Sequence, residues 1–83
     1  LDQNAPNPFC LTTKISYLIP FTCFTSLKVF DVFGKEMATL VNGFETPGYK
    51  SVNFEKAGLA GGIYYYQLRA GNRIETKKLL LWK

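Results

Sequence analysis

Eighty-three residues, 47% apolar and with seven Phe and five Tyr, suffice for one packed domain and are too apolar for a disordered tail. The net charge of +4 comes from ten Lys and Arg scattered among six acids, whereas a nucleic-acid binder collects its cations on one face. Histidine is absent and no apolar run approaches the ~20 residues of a membrane span, which removes imidazole chemistry and stable membrane insertion by a helix.

A domain of this size buries about 60–65% of its unfolded surface and is stable by ~4–12 kcal/mol. The chain opens on Leu1 rather than Met, so it reads as a piece of a longer polypeptide whose leader would lie upstream. Residues 1–13 are expected to form an extended entry segment, and residues 14–82 a β-sandwich. The steps Ala5-Pro6 and Asn7-Pro8 favour extended backbone, and Phe9 is the natural plug that docks the segment on the core.

Period-two alternation predicts a first strand over Lys14–Ile19, with Ile15, Tyr17 and Ile19 inward and Pro20 ending it. Phe21–Thr25 reads as a loop and Ser26–Asp31 as a strand with Leu27 and Val29 together. Asp31-Val32-Phe33-Gly34 has Asp first and Gly fourth, the type I turn pattern, and leads into a return strand over Lys35–Val41. Asn42-Gly43 and Pro47-Gly48 bracket the next loop, after which Tyr49–Phe54 is a strand with Val52 and Phe54 inward. Glu55–Gly62 carries three glycines in eight residues and reads as a crossover capped by Leu59.

Ile63–Ala70 is a strand rich in tyrosine, and Gly71-Asn72 joins it to a last strand over Arg73–Trp82. That hairpin sets Ala70 opposite Arg73, Leu68 opposite Glu75, Tyr66 opposite Lys77 and Tyr64 opposite Leu79. The inward set then includes Lys77. Either its stem lies over a tyrosine ring with the ammonium in water, or a bulge near Thr76 shifts the face. Six or seven short antiparallel strands without a helix predict an all-β, immunoglobulin-like sandwich, although the antibody-type Cys and Trp pattern is missing.

Nothing in the sequence arranges catalysis, a metal or a cofactor. The acids Asp2, Asp31, Glu36, Glu45, Glu55 and Glu75 are dispersed, no phosphate-binding loop precedes a helix, and neither cysteine has a base. A Cys10–Cys23 bridge would have to close a strand spanning about 20 Å to the ~4.4–6.8 Å that a disulfide allows, so free, half-buried thiols are expected. Tyr64, Tyr65 and Tyr66 could stack sugars, but alternation places Tyr65 on the other face. Asn7-Pro8-Phe9 matches a short trafficking ligand, but three residues carry little and a docked entry segment explains them better. Asp31, Gly34, Gly48, Gly62 and Gly71 read as turn-geometry residues.

Four segments together resemble one family. Asn4-Ala-Pro-Asn-Pro-Phe9 is similar to an Asn-Tyr-Pro-Asn-Pro-Phe entry motif, with Ala5 replacing the aromatic. Ser26-Leu-Lys-Val-Phe-Asp-Val-Phe-Gly-Lys-Glu36 resembles its Leu-Lys-Val-Tyr-Asp-x-x-Gly-Arg-Glu hairpin. Gly58-Leu-Ala-Gly-Gly-Ile-Tyr-Tyr-Tyr-Gln-Leu-Arg-Ala70 resembles its Gly-Leu-x-Ser-Gly-Ile-Tyr-x-Tyr-x-Leu strand. Thr76-Lys-Lys-Leu-Leu-Leu-Trp-Lys83 is similar to its basic-aliphatic terminal motif. The family is the C-terminal sorting domain of type IX secretion substrates in Bacteroidota. Cys10-Leu-Thr-Thr13 departs from its usual continuation, and Phe21-Thr-Cys-Phe-Thr25 is apolar where the family is usually polar.

The resemblance implies a non-catalytic secretion signal that ends a larger exported protein. Its passenger would cross the periplasm and outer membrane to be secreted or held at the cell surface. The implied partners are the type IX translocon, a sortase-like outer-membrane component and the upstream passenger. On this reading Thr76, Lys77, Lys78, Leu79, Leu80, Leu81, Trp82 and Lys83 form the sorting strand, with Leu79 and Leu81 structural and Lys77, Lys78 and Lys83 in contact. Adding that strand to a partner's sheet would supply backbone bonds. Asn4, Pro6, Asn7, Pro8 and Phe9 form the entry motif. The competing class is a structural or carbohydrate-binding immunoglobulin-like module, including the similar domain of flagellar hook-capping proteins.

Overall fold

A computed structural model describes residues 1–9, 11–55 and 58–82, so Cys10, Lys83 and part of the expected crossover lie outside the described residues. Alternating side chains build six strands: β1 (Thr12–Ile19), β2 (Cys23–Phe30), β3 (Glu36–Glu45), β4 (Gly48–Glu55), β5 (Gly62–Ala70) and β6 (Arg73–Leu81). β1 pairs with β4 in one sheet, and the other has the order β3-β2-β5-β6. Every pairing is antiparallel. This is an all-β, immunoglobulin-like sandwich.

The inward stripes are those that alternation selects: Ile15, Tyr17 and Ile19 on β1, Leu27 and Val29 on β2, Tyr64, Tyr66 and Leu68 on β5, and Leu79 and Leu81 on β6. Phe9 is buried among them, its ring edge-on to Phe54 at 5.9 Å. Val52 and Leu59 pack only partly buried against this core.

The β5–β6 register is the one the Gly71-Asn72 spacing requires, from Ala70 opposite Arg73 through Tyr64 opposite Leu79. It runs unbroken, so no bulge moves Lys77 off the inner face. Lys77 stays half-buried opposite Tyr66, as a long stem with a solvated ammonium requires. The irregularities fall instead in the β2–β3 pair, between Leu27 and Lys28 and between Val29 and Phe30.

Most strand ends shift by one or two residues from the sequence reading, and two shift further. Strand β2 begins at Cys23, not Ser26, so the second half of the expected Phe21–Thr25 loop is strand. Cys23 and Thr25 continue the inward stripe of Leu27 and Val29, and Thr25 lies opposite Ala70. A buried threonine hid that stripe, because its hydroxyl donates locally to the Cys23 carbonyl at 3.3 Å. With β2 longer, β3 also runs further, to Glu45, and Asn42-Gly43 pairs with Ser26 and Thr25 instead of opening a loop. Finally, Cys23 is a free thiol but a buried one.

The entry segment is bent rather than extended throughout. Asp2 donates its N–H to Ser16 and Ala5 bridges Lys14, so residues 2–5 lie along β1. The chain then bends over Pro6–Pro8, where Ala5-Pro6 and Asn7-Pro8 are cis, and Phe9 bridges Leu81 in parallel.

Gly71 turns the β5–β6 hairpin at φ +60°. A β-carbon there would meet Cys23 and the Phe21 ring at 3.7–3.8 Å, which is ordinary contact, so space does not demand glycine. Backbone strain does: Gly71→Ala is expected to lower stability by about 1–2 kcal/mol in urea denaturation, with Gly71→Asn costing less.

Candidate functional site

The entry motif and the terminal strand meet in one hydrogen-bonded clasp. Asn4 is buried, and its side-chain amide donates to Thr13 Oγ1 at 2.9 Å and to the Pro6 carbonyl at 3.0 Å. Its Oδ1 accepts from Gln3 Nε2 at 2.7 Å. The Asn4 backbone N–H donates to the Tyr66 hydroxyl at 2.7 Å, and that hydroxyl donates to the Asp2 carbonyl at 2.7 Å. Thr13 completes the knot by donating to the Pro6 carbonyl at 2.7 Å. Such a network is worth keeping only when every member is satisfied, and among the described residues no buried side-chain N or O lacks a partner.

Burial pushes the Tyr66 hydroxyl up to about 12, with the Asp2 charge adding to the rise and the Asn4 N–H opposing it. Tyr17 is likewise raised, first by burial and then by its 2.6 Å bond to the Glu45 carboxylate, which ties β1 to β3.

A second set of bonds fixes the segment to the outer edge of β6. Gln3 Nε2 donates to the Lys78 carbonyl at 2.7 Å, and Asn7 Oδ1 accepts the Leu80 N–H at 2.9 Å. Phe9 donates to the Leu80 carbonyl at 3.0 Å, and Trp82 donates to the Phe9 carbonyl at 2.9 Å. The edge of β6 along Lys78–Trp82 is therefore filled by the protein's own chain. Strand addition by a partner would have to begin on the uncovered Arg73–Lys77 stretch or first displace Phe9.

The residues expected to form a sorting strand divide by face. Leu79 and Leu81 are core, Lys77 is half-buried on the same side, and Thr76 and Lys78 point to solvent. Leu80 is half-buried on the outer face, and Trp82 follows the strand with 57% of its surface exposed. Pro8, Gly62, Ile63, Leu80, Leu81 and Trp82 line an open, mostly apolar hollow of about 530 Å³. Through Gly62 and Ile63 it adjoins a second hollow of about 230 Å³ beside Asp31, Val32, Phe33 and Tyr64.

The turn after β2 explains why Phe33 stands out there. Asp31 Oδ1 accepts the N–H groups of Phe33 at 2.8 Å and Lys35 at 2.9 Å, and Gly34, at φ +83°, donates to the Asp31 carbonyl. The tight turn leaves the Phe33 ring 91% exposed. Gly48 and Gly62 open β4 and β5 at φ +138° and +145°.

Alternation did not reveal Gln3, Thr13 or the Tyr66 hydroxyl as parts of the clasp. The available signal was the phenol itself, since a tyrosine read as core must find a partner for its O–H. The sugar-stacking arrangement does not form: Tyr64 and Tyr66 are in the core and Tyr65 is on the other face. Among the described residues, no three His, Cys, Asp or Glu side chains gather as a metal site would require.

Comparison with known proteins gave no match among the curated proteins or the solved structures. A family model described as "Secretion system C-terminal sorting domain" matches residues 5–81, which takes in Pro6–Phe9 of the entry motif, the whole sandwich and the terminal strand through Leu81. The chain therefore belongs to the C-terminal sorting domains of secretion systems, the tails of type IX secretion substrates.

Proposed function

We propose that the chain is a non-catalytic signal, the final domain of a larger exported protein, which directs its passenger through the type IX system to the cell surface. The observation that carries this reading is the family match over residues 5–81. On this reading the partners are the translocon and a sortase-like outer-membrane component. They contact the outer face at the end of β6, where Lys78, Leu80 and Trp82 stand beside the Pro8 and Ile63 hollow. Side-chain docking on that face fits the geometry better than strand addition, because the adjacent backbone groups are already bonded to the entry segment.

A fluorescent protein sent to the periplasm and fused ahead of residues 1–83 is expected to reach the surface of a type IX host. Deleting Lys77–Lys83 is expected to trap the passenger in the periplasm, but it also removes Leu79 and Leu81 from the core, so it reports folding as well as recognition. The sharper variant is Lys78→Glu with Trp82→Ser, both exposed. It should melt like the parent yet leave the passenger in the periplasm by fractionation. Surface delivery by that folded variant would refute the recognition face.

A further inference from the structure

The apolar loop that departs from the family pattern sits at the far end of the sandwich from Trp82. Three pairings define that end: Ile19 with Gly48, Phe24 with Phe44, and Thr25 with Ala70. The Gly71 N–H donates to the Phe24 carbonyl at 3.1 Å, so the β5–β6 hairpin closes the same end. Six large apolar side chains emerge around it, namely Leu18, Phe21, Phe24, Phe44, Tyr49 and Ile74, each at least half exposed. Phe24 and Phe44 form an edge-on pair at 5.5 Å, with Phe44 77% exposed. A polar band separates them from the Trp82 end: Lys28 pairs with Glu36 at 3.1 Å, and Gln67 bonds Thr76 at 3.1 Å.

Cations outnumber acids at this end, with Lys50, Arg69 and Arg73 against Glu45 and Glu75. Arg69 lies opposite Ile74 on the outer face and makes no ion pair among the described residues. Lys50 reaches only the Thr46 hydroxyl, at 3.2 Å. Of the nearby acids, Glu75 pairs with the Leu1 ammonium at 2.9 Å and with Arg73 at 3.4 Å, and Glu45 accepts from the neutral Tyr17 hydroxyl.

These side chains belong to the outer faces of both sheets: Leu18 and Tyr49 on one, Phe24, Phe44 and Ile74 on the other. A protein groove or a second copy would cover one face. A fluid interface receives a tip from all sides, and unpaired cations beside exposed rings suit one with negative headgroups. We propose that this end is a membrane-docking tip that places its ring of apolar side chains, peripherally and reversibly, in the interface of an anionic lipid bilayer. The proposal does not depend on the sorting reading.

Flotation of the 83-residue chain with phosphatidylcholine vesicles, with and without phosphatidylglycerol, tests it. Binding is expected to the anionic vesicles and to fade as salt is raised. Phe24→Ser with Phe44→Ser should weaken partitioning more than about tenfold. Arg69→Gln, which leaves the rings in place, should weaken it about fivefold, the worth of one cation at such a surface. Trp82, at the other end, should keep its emission, while a tryptophan placed by Phe44→Trp in a Trp82→Phe background should shift to the blue. The proposal is overturned by absence of binding at low salt, by a Trp82 shift, by undiminished binding of the folded double variant, or by light scattering that shows the rings mediating a dimer instead.

Discussion

Replacing Phe9 with alanine is expected to cost about 3–5 kcal/mol, close to the whole stability of a domain of this size. The residue is 1% exposed, packs edge-on against Phe54, and has both backbone groups committed to β6 through Leu80 and Trp82. Truncation leaves a hole that the clasp cannot close, since Asn4 holds Pro6 and Asn7 holds β6, which fixes the chain ahead of Phe9. Urea denaturation should show the loss as a midpoint shifted far toward zero, and a passenger carrying this tail should fail to leave the periplasm. Phe33→Ala is the control: an exposed ring of the same size should change stability by no more than about 0.5 kcal/mol. Equal losses for the two variants would mean that Phe9 is not the plug.

The second large effect lies with Tyr66. Tyr66→Phe keeps the ring but strands the Asn4 N–H and the Asp2 carbonyl, at about 1–3 kcal/mol. The same phenol makes stability depend on alkaline pH. Its folded value, about 12, exceeds the ordinary 10, so between those limits the unfolded chain gives up the proton and the folded chain keeps it. The contribution is therefore complete below about pH 10 and falls by about 1.4 kcal/mol per pH unit until about pH 12. Tyr17, raised by burial and by Glu45, pulls in the same direction. Denaturation curves at about pH 9 and pH 11.5 should show the parent losing more stability than Tyr66→Phe, because lysine deprotonation is common to both. Parallel losses would show that the clasp does not hold the phenol neutral.

Much of this architecture was legible before any coordinates. The Gly71-Asn72 dipeptide sets a two-residue loop, and from it the whole β5–β6 register follows by counting. Phe9 could be named as a plug because an aromatic just after two prolines has little else to do. What stayed hidden depended on partners distant in sequence. Asn4 looked like a motif letter, whereas its role comes from Tyr66 and Thr13, 62 and 9 residues away. The start of β2 was missed because Cys23 and Thr25 resemble loop residues until Ala70 is placed opposite Thr25. Period two could not show that the edge of β6 is filled, since a side-chain pattern says nothing of where backbone groups bond.

The bonds between Phe9 and Leu80 or Trp82 have a consequence for biosynthesis. What the entry segment needs along that edge is made 73 residues after Asn7, so it must wait unpaired until β6 has been synthesised. A prematurely terminated product lacking those few residues would keep most of its sheets yet leave Phe9 without a seat. Closure of the domain thereby waits on its sixth strand, and a chain cut short of Leu80 would carry an entry segment with nothing to clasp.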